Sequence, residues 1–251
     1  MISMVGKAAA SDVAKTYKKS GASLHAAVGV NIGGWLVLEP WITPSLFYRF
    51  LGRTVDEGVG LDSYTFCEAL GPNEGNRVLQ AHWDSWLTEE HIAALADRDV
   101  EMLRLPLGDW TVRPYGPYEG CMAGSDRRVD WLLDMADKYD LKVLLDLHGV
   151  RDSQNGFDTS GRAARIQWVA PDRYVHDNIG EWMGTWTGEE YFPINHDNIQ
   201  WTIETVDSLV DRWGGHPAVV GVTPLNEPGW ESDLTILKDF YRQVRRNMRE
   251  K

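Results

Sequence analysis

Four runs of small, β-branched and aliphatic residues punctuate this chain, and between them lie longer stretches whose apolar positions recur at helical spacing. The first run, 26–35, closes on Gly33-Gly34 and reads as a buried strand with its turn. The second, 100–106, carries Arg104 near its end, and the third, 142–149, ends in His148. The fourth, 219–223, is halted by Asn226-Glu227-Pro228, because proline cannot donate to a strand ladder. Thr88 reads as a helix N-cap, with Glu89 and Glu90 in the first turn, where the helix dipole favours negative charge, and Ile92, Leu95 and Ala96 on one face. Val129, Leu132, Leu133, Ala136 and Tyr139 share a face over 128–139. Ile199, Ile203, Val206, Leu209, Val210 and Trp213 share another, from near Asn195 or His196 to the terminating Gly214-Gly215. Residues 43–87 show no strand pattern and predict helix around 62–70 and 74–86, and 232–249 predict a last helix. Residues 150–195 have no clear period and read as one irregular segment. Residues 1–25 read as a polar lead ahead of a single unit spanning 26–251.

Strand and helix therefore alternate. A helical crossover between strands implies parallel pairing, so the expected class is α/β. Glu39 follows the first strand, Arg104 and His148 lie near the ends of the next two, and Asn226 and Glu227 follow the last. That carboxyl edge is where α/β barrels and open parallel sheets do their chemistry. Polar residues with catalytic chemistry at the same end of every strand leave chance a poor explanation, and Glu227 is the first candidate for a general acid or base.

A net charge of -12 argues against nucleic acid or an anionic membrane as partner, since both require a basic face. Twelve Trp, nine Tyr and six Phe are a high aromatic load. Flat apolar rings stack on the C–H faces of sugars as well as on each other, so the load hints at carbohydrate, although most rings are expected in the core. Only Cys67 and Cys121 occur, which excludes a cysteine-rich metal site and allows at most one disulfide; two buried thiols are the expected state. No run has the length of a transmembrane helix. The lead carries Lys7, Lys15, Lys18 and Lys19 among short apolar patches, without the continuous hydrophobic region of a secretory signal.

Residues 29–47, Gly-Val-Asn-Ile-Gly-Gly-Trp-Leu-Val-Leu-Glu-Pro-Trp-Ile-Thr-Pro-Ser-Leu-Phe, resemble the opening of the exo-β-1,3-glucanases of glycoside hydrolase family 5. Asp146-Leu147-His148-Gly149, Ser153-Gln154-Asn155-Gly156-Phe157-Asp158 and Asn226-Glu227-Pro228 match that family in the same order. The resemblance implies a (β/α)8 TIM barrel, of which this chain carries the first four β/α units. It also implies roles: Glu227 as the acid/base that protonates the glycosidic oxygen, Asn226 on the sugar 2-hydroxyl, and Arg104 and His148 beneath the reacting sugar, orienting nucleophile and substrate. Glu39 and Asp158 would bind hydroxyls of the terminal glucose, and Phe157 would stack on the next sugar. The implied activity is that of a retaining β-glucosidase cutting β-1,3-glucan from the non-reducing end, extracellular or in the cell wall, with no metal or other cofactor. Two departures lie beside the pocket and bear on substrate preference: Val150-Arg151-Asp152 stands where the family usually has Ala-Pro-Gly, and Thr159 where it usually has Asn.

A retaining glycosidase needs a second carboxylate, the nucleophile, about 5–5.5 Å from the first. In the family it lies at the end of the seventh strand, and only four strands are legible here, so the site is expected to be incomplete within these residues. An unpaired strand on each side of the sheet would follow, with a tendency to self-associate through the open edge. Two other readings stay open. One is a non-catalytic carbohydrate-binding fragment that keeps Glu39, Asp158 and Phe157; the other is a metal-dependent barrel hydrolase using Asp146 and His148.

Overall fold

The computed structural model describes residues 27–251; the expected polar lead, 1–25, lies outside the described residues. The main elements run β1 (Gly29–Asn31), α1 (Ser63–Trp86), α2 (Glu89–Ala96), β2 (Met102–Gly108), α3 (Ser125–Lys138) and β3 (Lys142–Gly149). Two hairpins follow, β4 (Gln167–Ala170) with β5 (Arg173–Val175) and β6 (Gly184–Trp186) with β7 (Tyr191–Ile194), then α4 (His196–Trp213), β8 (Val219–Thr223) and α5 (Leu234–Glu250). β1, β2, β3 and β8 form one sheet in that order, every pair parallel, as the alternation of strand and helix requires. Leu105 pairs with Leu145 and Asp146 with Thr223, so the carboxyl ends of the strands lie along one edge.

β2 and β3 are the inner strands, and Leu103, Leu105, Leu107, Val143, Leu145 and Leu147 are fully buried, which accounts for their near-continuous apolar run. β8 is half-buried along its length and β1 mostly exposed, as befits the outer strands. Val129, Leu132, Leu133 and Ala136 of α3 and Ile203, Val206, Leu209 and Trp213 of α4 are buried, so the faces predicted from spacing are the packed ones. α1 breaks at Gly71, whose φ of 70° only glycine adopts readily, just before Pro72; this is the gap between the two helical stretches read at 62–70 and 74–86.

Two expectations are corrected. Residues 150–195 are not one irregular segment but hold the two antiparallel hairpins, whose strands of three and four residues are too short to show a period. Cys67 and Cys121 are not free thiols: they form a disulfide, their Cα atoms 5.7 Å apart. The bond joins α1 to a short helical turn, Tyr118–Cys121, that precedes α3, a juxtaposition no local pattern announces. Beside it, Trp110 stacks on Tyr118 with ring centroids 4.1 Å apart. Gly108, Gly149 and Gly161 press against the same indole so closely that a Cβ at any of them would collide with it.

Candidate active site

Arg104 gathers three strands at the carboxyl edge. Its Nη1 donates to Asn31 Oδ1 at 2.8 Å; its Nη2 donates to Asn226 Oδ1 at 2.7 Å and lies 2.8 Å from Asp146 Oδ2. A planar guanidinium with five fixed donors suits such a task, and a lysine ammonium would not span it. Asp146 and His148 are two apart in β3 and so share a face; His148 Nδ1 stands 2.7 Å from the same Asp146 oxygen. Asp146 is fully buried and its Oδ1 has no hydrogen-bond partner, so its charge is tolerated only because Arg104 and His148 face it.

Glu39 reaches this edge from the turn after β1. Gly34 N donates to its Oε1 at 2.9 Å, and α1 holds the turn: His82 Nε2 lies 2.8 Å from Gly34 O, and Trp86 Nε1 donates to Gly33 O at 3.0 Å. Trp35 and Trp83 exchange indole-to-carbonyl bonds, 3.2 and 3.0 Å, across the same contact. Burial pushes the Glu39 carboxyl above its usual range; the Gly34 N–H and the charges of His148 and Arg104 pull it down, and Asp158 pushes it up again. Glu39, Asp158, Arg104 and His148 therefore share one electrostatic environment although they arrive from separate segments. Burial also raises Asp158, opposed by the Thr159 N–H that donates to its Oδ1 at 2.9 Å. A carboxyl held upward in this way accepts hydrogen bonds and, when protonated, can also donate one.

The loops after β3 and β8 are tied to one another. Gln154 Nε2 donates to His148 O and to Asn226 O, both at 2.8 Å; Asn155 Nδ2 donates to Glu227 O at 3.0 Å, and Gly229 N to Gln154 O at 2.9 Å. Asn226 is buried, whereas Glu227 is exposed with φ 42°, a left-handed conformation uncommon for a side-chain-bearing residue and often found at functional turns. Phe157 is 42% exposed on the facing loop. The unusual Arg151 and Asp152 fasten this loop to α4. Arg151 lies 3.2 Å from the centroid of Trp201 and its N–H donates to Asp109 Oδ2 at 2.9 Å; Asp152 pairs with Arg162 at 3.0 Å and accepts from Asn198 Nδ2 at 2.9 Å.

Of the residues singled out in the sequence, Arg104 reaches both His148 and Asn226, Glu39 and Asp158 are linked to this group through charge, and Glu227 and Phe157 lie on the two tied loops. Asn31, Gln154 and Asn155 carry contacts here that the sequence pattern does not assign to them, and Asp146 enters that pattern only as a possible metal ligand. Their signal was available: all four are polar residues inside the matched motifs. Among the described residues no group of three or more His, Cys, Asp or Glu is placed to hold a metal; Asp146 and His148 are turned to each other and to Arg104.

No protein-family model matches the chain. The fold is like that of the rutinosidase from Aspergillus niger, with a TM-score of 0.68 over 90% of this chain and 60% of that one at 17% identity. The fold class is thus that of the (β/α)8 barrel, represented here by four parallel strands. In sequence, the chain is 38% identical over 218 residues to the glucan 1,3-beta-glucosidase of Blumeria graminis, which covers 85% of this chain and 43% of that protein. It is 46% identical over 219 residues to the sporulation-specific glucan 1,3-beta-glucosidase of Saccharomyces cerevisiae, 84% of this chain and 43% of the relative. The chain is therefore a homologue of the glucan 1,3-beta-glucosidases and spans a little under half the length of these relatives.

Proposed function

We propose that these residues form the sugar-binding and acid/base part of a retaining site that releases glucose from the non-reducing end of β-1,3-glucan. The observation that carries this reading is the Arg104–Asp146–His148–Asn226 network, joined through charge to Glu39 and Asp158 and bonded through Gln154 and Asn155 to the turn that bears Glu227. Arg104 orients the Asn226 amide toward the sugar 2-hydroxyl, Glu39 and Asp158 bind hydroxyls of the terminal glucose, Phe157 stacks on the next ring, and Glu227 protonates the departing oxygen. The disulfide supports an extracellular or cell-wall setting, because such bonds persist in oxidising compartments. Among the described residues no helix is long and apolar enough to cross a membrane. β1 and β8 each pair on one side only among the described residues, which supports self-association through the open edges of the sheet.

A second reading is favoured by the state of the other carboxylates. Asp146 is committed to Arg104 and His148, and Glu39 and Asp158 are here assigned to sugar hydroxyls, so none of these three is left as the nucleophile beside Glu227. Residues 1–251 would then bind glucan sugars without cleaving them. Incubation with laminari-oligosaccharides separates the readings: binding without glucose release is the expected result. Glucose release that Glu227→Gln abolishes would show that a further carboxylate within these residues completes the site.

A further inference from the structure

One side chain beside the site has no role in the reading above. Trp230 follows Glu227 by three residues, at most about 11 Å of extended chain, and is 83% exposed. A solitary exposed apolar residue needs no explanation, but this one is displayed. The edge of Trp186 in β6 meets its ring at 6.2 Å and 73°, and Trp186 in turn packs on Tyr191 at 5.2 Å. The turn beneath it is fastened on both sides. Gly229 N donates to Gln154 O at 2.9 Å, and Ser232 N to Gly229 O at 3.1 Å. The next residue, Glu231, is buried, with its Oε1 accepting from Tyr191 Oη at 2.8 Å and from Gly180 N at 3.2 Å. A Cβ on Gly229 would strike the Glu231 carboxylate, so the turn closes this tightly only with glycine there.

We propose that Trp230, braced by Trp186, is a platform for a sugar unit beyond the terminal glucose that Glu39 and Asp158 are proposed to bind. A rigidly presented indole offers a flat apolar face to the C–H groups of a pyranose and an N–H at its rim to a hydroxyl, at little conformational cost on binding. The ligand is a β-linked gluco-oligosaccharide long enough to reach past the terminal glucose. The inference rests on the reading of the pocket as a glucose site.

Titration of the chain with glucose and with a β-1,3-linked glucose trimer, by calorimetry and size-exclusion chromatography, tests it. The unaltered chain should bind the trimer more tightly than glucose. Trp230→Ala should weaken trimer binding roughly tenfold while leaving glucose binding unchanged, and Trp230→Phe should restore most of the loss. Trp230 is exposed, so the variants keep the fold. If Trp230→Ala binds both sugars as the unaltered chain does, the platform is refuted and the pocket stands. If neither sugar binds the unaltered chain, the pocket reading fails and the platform with it. If Trp230→Ala instead converts a dimer to a monomer with sugar affinity unchanged, a second copy of the chain occupies this surface and the proposal is overturned.

Discussion

Replacing Arg104 by Met tests whether the strand-edge network is built around a buried charge. The substitution keeps an unbranched side chain of similar reach but leaves Asp146, fully buried and with Oδ1 already unpartnered, facing only His148. Removing one partner of a buried ion pair costs about 3–5 kcal/mol. Arg104 is 32% exposed, so water can replace part of what is lost, and about 2 kcal/mol is the expected cost. Asp146→Asn alone leaves Arg104 with Asn31 and Asn226 and should cost about 1 kcal/mol. Adding Asp146→Asn to Arg104→Met removes the stranded charge, so the double variant should be no less stable than Arg104→Met, with a coupling of about 1–2 kcal/mol. Urea unfolding followed by tryptophan fluorescence at neutral pH measures all four corners of the cycle, with constant m-values as the check that one transition is compared. Additivity of the two substitutions within about 0.5 kcal/mol would refute the claim that Arg104 neutralises Asp146.

Reduction of the Cys67–Cys121 bond, which closes 54 residues, should lower stability by about 4 kcal/mol, read as a fall in the urea midpoint with dithiothreitol; no change would mean the bond is not formed in solution. Burial raises Asp109 from 3.8 to about 7, against the Arg151 N–H and the Tyr115 and Trp201 side chains. Its folded form then holds the proton more tightly than the unfolded form, so its contribution is complete below about pH 4 and is lost as pH rises toward about 7. Asp109→Asn should flatten that part of the profile, and an unchanged slope of urea midpoint against pH would exclude it. Arg151→Ala, which removes a guanidinium 3.2 Å from the Trp201 ring centroid, should cost about 1–2 kcal/mol in the same unfolding assay. In a longer protein that supplies the second carboxylate, Glu227→Gln should slow hydrolysis of glucosides with poor leaving groups by about 10²–10⁴ and of activated ones by less. Equal loss on both would show that Glu227 is not the acid.

The barrel half was legible in the sequence because its determinants are local and periodic. The aliphatic runs at Leu103–Leu107 and Val143–Leu147 can be satisfied only by strands buried on both faces, and the buried positions of α3 and α4 fall at the predicted spacing. The strand ends carrying Arg104, His148 and Asn226-Glu227 could be named for the same reason: where a strand stops, its last polar residues face the carboxyl edge. What the sequence could not determine is which of those residues meet. Arg104 bonds to Asn226 across 122 positions and to Asn31 across 73, and Cys67 finds Cys121 across 54. Such partnerships depend on strand order, register and helix packing, which no single segment encodes. The hairpins between β3 and α4 escaped for a related reason: three- and four-residue strands have too few positions to reveal an alternation, and they exist only because the folded chain brings their partners alongside. The tertiary structure alone decided that Asp146 is the buried anchor of Arg104 and His148, because the need for a countercharge arises only once neighbouring strands have excluded water from it.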